Sequence, residues 1–265
     1  MDNEVIIKVQ DLRKTFRIGT GEVEVLKGIN ADIHKGDFVI IFGPSGCGKS
    51  TFLHTMLGLE APTSGTIHVE GKDFYEGGED DRARYRRHKV GMIYQQALWI
   101  GSMSVIENVM FPLRILNVEE DVAYKKAIDA LTVVGMQDWA DYMPTELSSG
   151  QQQKISLARA LSKDPLIIVA DEPTGNLDTV SGKELLETFL MLVDRGVTIF
   201  MVTHDLEYLQ FATRIFHMLD GEVVEEYTPK KGNKNLKTVG GKKEISGSFM
   251  TSNIRDPEFL KKLKI

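Results

Sequence analysis

Six short apolar runs punctuate the chain: VIIKV from Val5, DFVIIF from Asp37, GTIHVEG from Gly65, KVGMIYQ from Lys89, LIIVAD from Leu166 and VTIFMVTH from Val197. Their length and β-branched content predict strands. Those near Phe38, Ile167 and Phe200 are almost continuously apolar, the pattern of parallel strands covered on both faces. Farther on, in RIFHMLDGEVVEE, Asp220-Gly221 separates two alternating segments and predicts a hairpin. Helical periodicity fills most intervals between the later strands. From Ser104 to about Ala160 it runs without a strand, as in SVIENVMFPLRIL and AYKKAIDALTVVG. The pattern is that of an α/β domain carrying a helical insert, and it holds no solenoid-like repeat.

With 265 residues and 42% hydrophobic content the chain can bury a substantial core. No apolar stretch approaches the roughly 20 residues of a membrane span, and MDNEVIIKVQ lacks the basic start and apolar middle of a signal peptide. A soluble, cytosolic chain is expected. The single cysteine, Cys47, leaves no internal disulfide framework, which agrees with a reducing compartment. The formal net charge of -6 is unevenly spread: Lys230 to Ile265 holds ten Lys and Arg against three Asp and Glu, so the acidic excess belongs to the body. An acidic body disfavours nucleic acid as a partner. The basic end can meet an acidic membrane surface or serve as solvated linker. Residues 229–243 read as a linker, with six lysines and three glycines in KKGNKNLKTVGGKK. Within the tail, 244–265, Asp256 as N-cap and Pro257 at the first helical position predict a short terminal helix.

The apolar run ending at Phe42 opens directly onto GPSGCGKST, Gly43 to Thr51, which fits G-x-x-x-x-G-K-[ST]. Gly43, Gly46 and Gly48, with Pro44, Ser45 and Cys47 between them, let successive N–H groups turn inward as an anion nest. The helix beginning near Lys49 adds its positive end. Lys49 is expected on the β/γ-phosphates, the Ser50 hydroxyl on Mg²⁺, and Thr51 in the same wrap. A cradle of this kind serves kinases, GTPases and many ATPases alike. LIIVADEP narrows the choice by ending a buried strand with Asp171, able to hold Mg²⁺ through water, and Glu172, able to orient or deprotonate the attacking water.

ELSSGQQQKISLARAL, from Glu146, then places Leu147, Ser148, Ser149, Gly150 and Gln151 in a run that resembles the signature of ATP-binding cassette (ABC) ATPases, usually L-S-G-G-Q at a helix start. The order of cradle, signature and LIIVADEP matches that family, over approximately residues 4–228. The resemblance implies a P-loop NTPase (RecA-like) core with an N-terminal antiparallel β subdomain and a helical subdomain inserted at about 96–160. It further implies that Phe16 stacks on adenine, though a core phenylalanine is the plainer reading. Gln95 would contact Mg²⁺ and the attacking water, Asp178 in GNLD would link two cassettes, and His204 would contact the γ-phosphate.

Two positions depart from the family pattern. Ser149 replaces a glycine and either crowds the phosphate or points away, and Lys154 replaces an arginine. Cys47, a thiol at a helix N-terminus, is expected either as filler or with a lowered pKa.

The signature lies about a hundred residues after the cradle and in this family serves a partner's ATP. A head-to-tail homodimer, closed by two ATP and opened by hydrolysis at Glu172, is therefore implied. MSVIENVMFPLRI and DEPTGNLD look like the macrolide-export and lipoprotein-release branch, where the ATPase sits peripherally on the inner face of the cell membrane under a separate permease. Trp99 and Ile100 are candidates for the permease groove, with ordinary packing as the alternative. The rival readings are a soluble non-transport ABC ATPase and a regulatory cassette that binds ATP without turnover. The first usually shows two cassettes or long inserts, and the second is opposed by Glu172 and His204.

Overall fold

The structure is a computed structural model describing residues 4–228 and the backbone of 236–239 and 242–245. Two long strands, Val5–Ile18 (β1) and Gly21–His34 (β2), make an antiparallel ribbon. Ser64–Val69 (β4) pairs with β1, and Lys72–Asp73 (β5) extends β4, giving the order β2-β1-β4-β5. The expected N-terminal antiparallel subdomain is thus present. Its second strand goes beyond the runs read above, because GEVEVLKGINADIH mixes charges with a bulged, interrupted alternation.

The second sheet contains Phe38–Phe42 (β3), Val90–Tyr94 (β6), Ile167–Asp171 (β7), Thr198–Thr203 (β8), Arg214–Leu219 (β9) and Glu222–Tyr227 (β10), ordered β10-β9-β3-β8-β7-β6. All neighbours are parallel except β10, which returns antiparallel beside β9. Its turn is the expected Asp220-Gly221, with φ of 48 and 88°, the left-handed pair of a type I′ hairpin. Every residue of β3 and β8 is buried. Alternate residues divide between two cores. Phe38, Ile40, Ile199 and Met201 join the helical insert, whereas Val39, Ile41, Phe200 and Val202 join the antiparallel subdomain and Phe52, Leu53 and Met56 of Lys49–Met56 (α1).

The insert consists of Val105–Ile115 (α3), Glu120–Val133 (α4) and Ser149–Leu161 (α5), and α5 leads back into β7. Ser104 begins α3 with a capping box: its hydroxyl accepts from Glu107 N–H, and the Glu107 carboxylate accepts from Ser104 N–H. Glu79–Lys89 (α2) has no fully buried residue, so hydrophobic periodicity does not mark it. Its acidic first turn and basic last turn suit the helix dipole. Arg86 ties it to the Leu57 and Gly58 carbonyls, and Lys163 donates to the Arg86 and Arg87 carbonyls. Thr179–Asp194 (α6) follows β7.

In the segment expected as linker, Leu236–Val239 pairs antiparallel with Lys242–Ile245. The terminal helix expected from Asp256 and Pro257 lies outside the described residues. Among the described residues no helix is long and apolar enough to cross a membrane.

Candidate functional site

Parallel pairing brings the carboxyl ends of β3, β6, β7 and β8 to one edge, where Phe42 aligns with Thr203, Asp171 with Val202 and Tyr94 with Asp171. The residues that follow, Gly43–Thr51, Gln95, Glu172 and His204, therefore meet at the place where open α/β sheets bind ligands.

In the loop after β3, a Cβ on Gly43 would lie 2.1 Å from the Met218 carbonyl oxygen, so the backbone approach admits only glycine. Behind it the hairpin turn supports the loop, with Gly221 N–H donating to the Cys47 carbonyl at 3.0 Å. Pro44, Ser45 and Gly46 face solvent. Gly48 begins α1 at φ 103° with no side-chain cap, whereas α3, α5 and α6 are capped by Ser104, Ser148 and Asp178. No N-cap side chain claims the first-turn N–H groups of α1, which leaves donors for an anion. Lys49 is buried and donates from Nζ to the Gly43 and Pro44 carbonyls at 2.8 and 3.0 Å, keeping its ammonium at the loop. Ser50 is exposed and Thr51 half-buried at the start of the helix.

Cys47 is decided between its two readings. It is buried, and burial pushes its thiol pKa up, outweighing the Lys49 charge and the helix-terminal N–H groups that favour the thiolate. The filler reading is the one that fits.

At the end of β7, burial first and the Glu172 charge second raise the pKa of Asp171, against the pull of His54 and Lys49. Glu172 leaves the strand at φ 49°, an uncommon conformation for a non-glycine residue. Its carboxylate lies 2.9 Å from His204 Nδ1. Its side chain is 21% exposed and that of His204 71%, so the pair opens toward solvent. Gln95 is exposed beside the loop after Glu172: a Cβ on Gly175 would come within 2.7 Å of its Nε2, and Asn176 Nδ2 donates to its carbonyl at 3.2 Å. The Ser50 hydroxyl, Asp171 carboxylate and Gln95 carboxamide are hard oxygen donors with a single carboxylate among them. That set fits Mg²⁺, which takes one or two carboxylates and leaves its other positions to phosphate and water.

Phe16 is half-buried on β1 and belongs to neither core, which sets the core reading aside; the Lys14 ammonium lies 4.8 Å from its ring centroid. The turn Ser148–Gln151 is a capping box, in which Ser148 Oγ accepts from Gln151 N–H and Gln151 Oε1 accepts from Ser148 N–H. Ser149 is the first helical residue and is exposed. Within the chain the tight contact of this turn falls at Gly150, where a Cβ would meet Ser181 Oγ at 2.8 Å. Lys154 pairs with Glu184 at 2.7 Å, joining α5 to α6. Asp178 caps α6, accepting from Val180 and Ser181 N–H and from the Ser181 hydroxyl, and these bonds lower its pKa. Among the described residues no hydrogen bond or ion pair joins Ser148–Gln151 to Gly43–Thr51, so the chain presents the two as separate surfaces.

Two side chains escaped the sequence reading. Gln153 is a buried glutamine on α5, and Arg159, on the same helix, lays its guanidinium 4.7 Å from the Trp99 ring centroid. Trp99 Nε1 also donates to Gln152 Oε1. Trp99 thus packs against the insert, and the exposed apolar residue of that segment is Leu98, 63% exposed. The signal for Gln153 was a polar residue on the stripe that continues through Leu157 and Ala160.

The family model for the ABC transporter matches residues 26–175. The chain is 40% identical over 220 residues to an uncharacterized ABC transporter ATP-binding protein of Methanocaldococcus jannaschii, covering 83% of this chain and 98% of the relative. It is 41% identical over 218 residues to the macrolide export ATP-binding/permease protein MacB of Bdellovibrio bacteriovorus, covering 82% of this chain and 33% of that protein. A dimeric post-hydrolysis ATP-binding cassette solved with ADP and phosphate superposes with a TM-score of 0.76 at 35% identity, covering 84% of this chain and 98% of the other.

Proposed function

Since the chain belongs to the ABC transporter family of ATPases, we propose that it is the ATP-hydrolysing subunit of a transporter whose membrane-spanning permease is a separate chain. Two copies would work head to tail around two ATP, on the inner face of the cell membrane. One observation carries this reading: the glycine loop, the Asp171–Glu172 pair and His204 converge on one sheet edge, while the capping turn Ser148–Gln151 begins a helix of the insert.

Gly43–Thr51 wraps the phosphates with backbone N–H groups, Lys49 places its ammonium against them, and Phe16 offers its free face to the base. Ser50, Asp171 and Gln95 would hold Mg²⁺, which, bound, neutralises charge on the phosphate oxygens. Glu172 takes the proton of the attacking water, and His204, held by Glu172 through Nδ1, presents its other nitrogen toward the terminal phosphate. The partner's Ser148–Gln151 turn closes the opposite side with N–H groups and hydroxyls. Leu98, exposed on the segment after Gln95, offers the apolar contact for the permease.

The similarity to the ATPase part of MacB supports the macrolide-export branch, and the match covers about a third of that protein's length. Purification of the tagged chain from detergent-solubilised membranes tests the reading. It should bring down an integral membrane protein in fixed ratio and hydrolyse MgATP. Isolation of an active ATPase with no membrane partner would favour the soluble reading.

A further inference from the structure

Gln153 is 3% exposed, and its Nε2 donates two hydrogen bonds of 2.8 Å, to the Tyr94 and Pro173 carbonyls. Tyr94 immediately precedes Gln95, and Pro173 immediately follows Glu172. One planar amide group thus fixes the spacing of the two backbone segments that carry the metal-side glutamine and the water-activating carboxylate. Breaking either bond would strand a buried polar group, which costs more than the bond itself contributes.

Gln153 also stands two residues beyond Gln151, which closes the signature capping box on the same helix. Further ties fasten the segment after Tyr94 to α5: Trp99 to Gln152, and Arg159 to the Leu98 carbonyl and the Trp99 ring. Asn176, on the loop after Glu172, holds the Gln95 carbonyl from the other side. The turn that meets one nucleotide and the loops that act on another are therefore joined through a single rigid helix.

We infer that Gln153 is a positioning residue coupling the two ATP sites. Seating of Ser148–Gln151 on the partner's nucleotide shifts α5, and Gln153 carries that shift to the spacing of Gln95 and Glu172 in its own chain. The inference rests on the head-to-tail reading, which is tested separately by whether the Glu172→Gln protein dimerises with ATP.

Gln153→Met keeps length and bulk but loses both donors. Three quantities are measured: ATP affinity of the monomer without Mg²⁺, kcat, and the Hill coefficient of hydrolysis against ATP. Monomer affinity should stay within about twofold while kcat falls about tenfold or more. The Hill coefficient should drop from near two to about one, since the number of sites bounds it. Unchanged kcat and Hill coefficient would overturn the inference, as would monomer affinity falling in step with kcat, which marks a merely structural role. If Gln153→Met fails to fold, Asn176→Ala, a surface change on the other tether, takes its place. A smaller drop in Hill coefficient with intact affinity supports the coupling, and an unaltered coefficient refutes it.

Discussion

His204 Nδ1 stands 2.9 Å from the Glu172 carboxylate. A carboxylate only accepts, so the proton of the neutral ring sits on Nδ1 and the lone pair on Nε2. His204 can then donate to a phosphate from Nε2 only when doubly protonated or after releasing Glu172. His204→Ala should lower turnover by ~10²-fold while ATP binding survives, because the residue orients the base and the phosphate and does not hold the nucleotide. Single-turnover hydrolysis alongside equilibrium binding checks this; equal losses in both would contradict it.

Lys49 places its charge at the Gly43 and Pro44 carbonyls, where the phosphates are proposed to lie. Lys49→Ala removes a charge-assisted contact of about 1.5–3 kcal/mol, so ATP should bind roughly 10- to 100-fold more weakly. Fluorescence titration with a nucleotide analogue reads this directly, and unchanged affinity argues against the cradle.

Asp171 has a raised pKa in the folded chain because ionising it there costs desolvation and repulsion from Glu172. The folded state then binds more protons than the unfolded one, and stability falls as pH rises from the ordinary aspartate value through the raised one. Above that window the charged carboxylate is a liability unless a cation meets it. Asp171→Asn should raise the melting temperature of the metal-free protein at neutral pH and abolish MgATP hydrolysis. A lower melting temperature would show that the carboxylate stabilises the apo fold.

Cys47 is buried with a raised pKa. At neutral pH the native chain should react with a thiol reagent at least about tenfold more slowly than the urea-unfolded chain, and faster as pH rises. Rapid labelling of the native protein at pH 7 would contradict the burial.

Ser149 projects from the first turn of α5, while Gly150 lies against Ser181. Ser149→Gly should change turnover by no more than about twofold, since it leaves in place the backbone N–H groups and the Ser148 hydroxyl that are proposed to meet the partner's nucleotide. Gly150→Ala should slow turnover by displacing the signature turn from α6. The two steady-state rates, compared directly, distinguish these positions; the reverse order would show that the Ser149 side chain matters more than the packing of Gly150 on Ser181.

The parallel strands were legible because burial on both faces makes Phe38–Phe42 and residues 199–202 apolar throughout, and Asp220-Gly221 announced its turn through the left-handed angles it needs. The helix at Glu79–Lys89 was not legible, since ion pairs and tied carbonyls hold it in place of a buried stripe. The site loops were readable as contiguous motifs. Gln153 was hidden because its partners are backbone carbonyls of Tyr94 and Pro173, which leave no trace in residue identity. Trp99 was left open between permease groove and packing for a related reason: its ties to Gln152 and Arg159, which hold it against α5, leave no mark in the local pattern.

The arrangement of two copies around ATP is tested most directly by the mass of the Glu172→Gln protein in light scattering with ATP and Mg²⁺. The account predicts a shift from about 30 kDa to twice that value, reversed by removing nucleotide and blocked by Gly150→Asp in the signature turn. A mass that stays at one chain at saturating ATP, with nucleotide demonstrably bound, would contradict it.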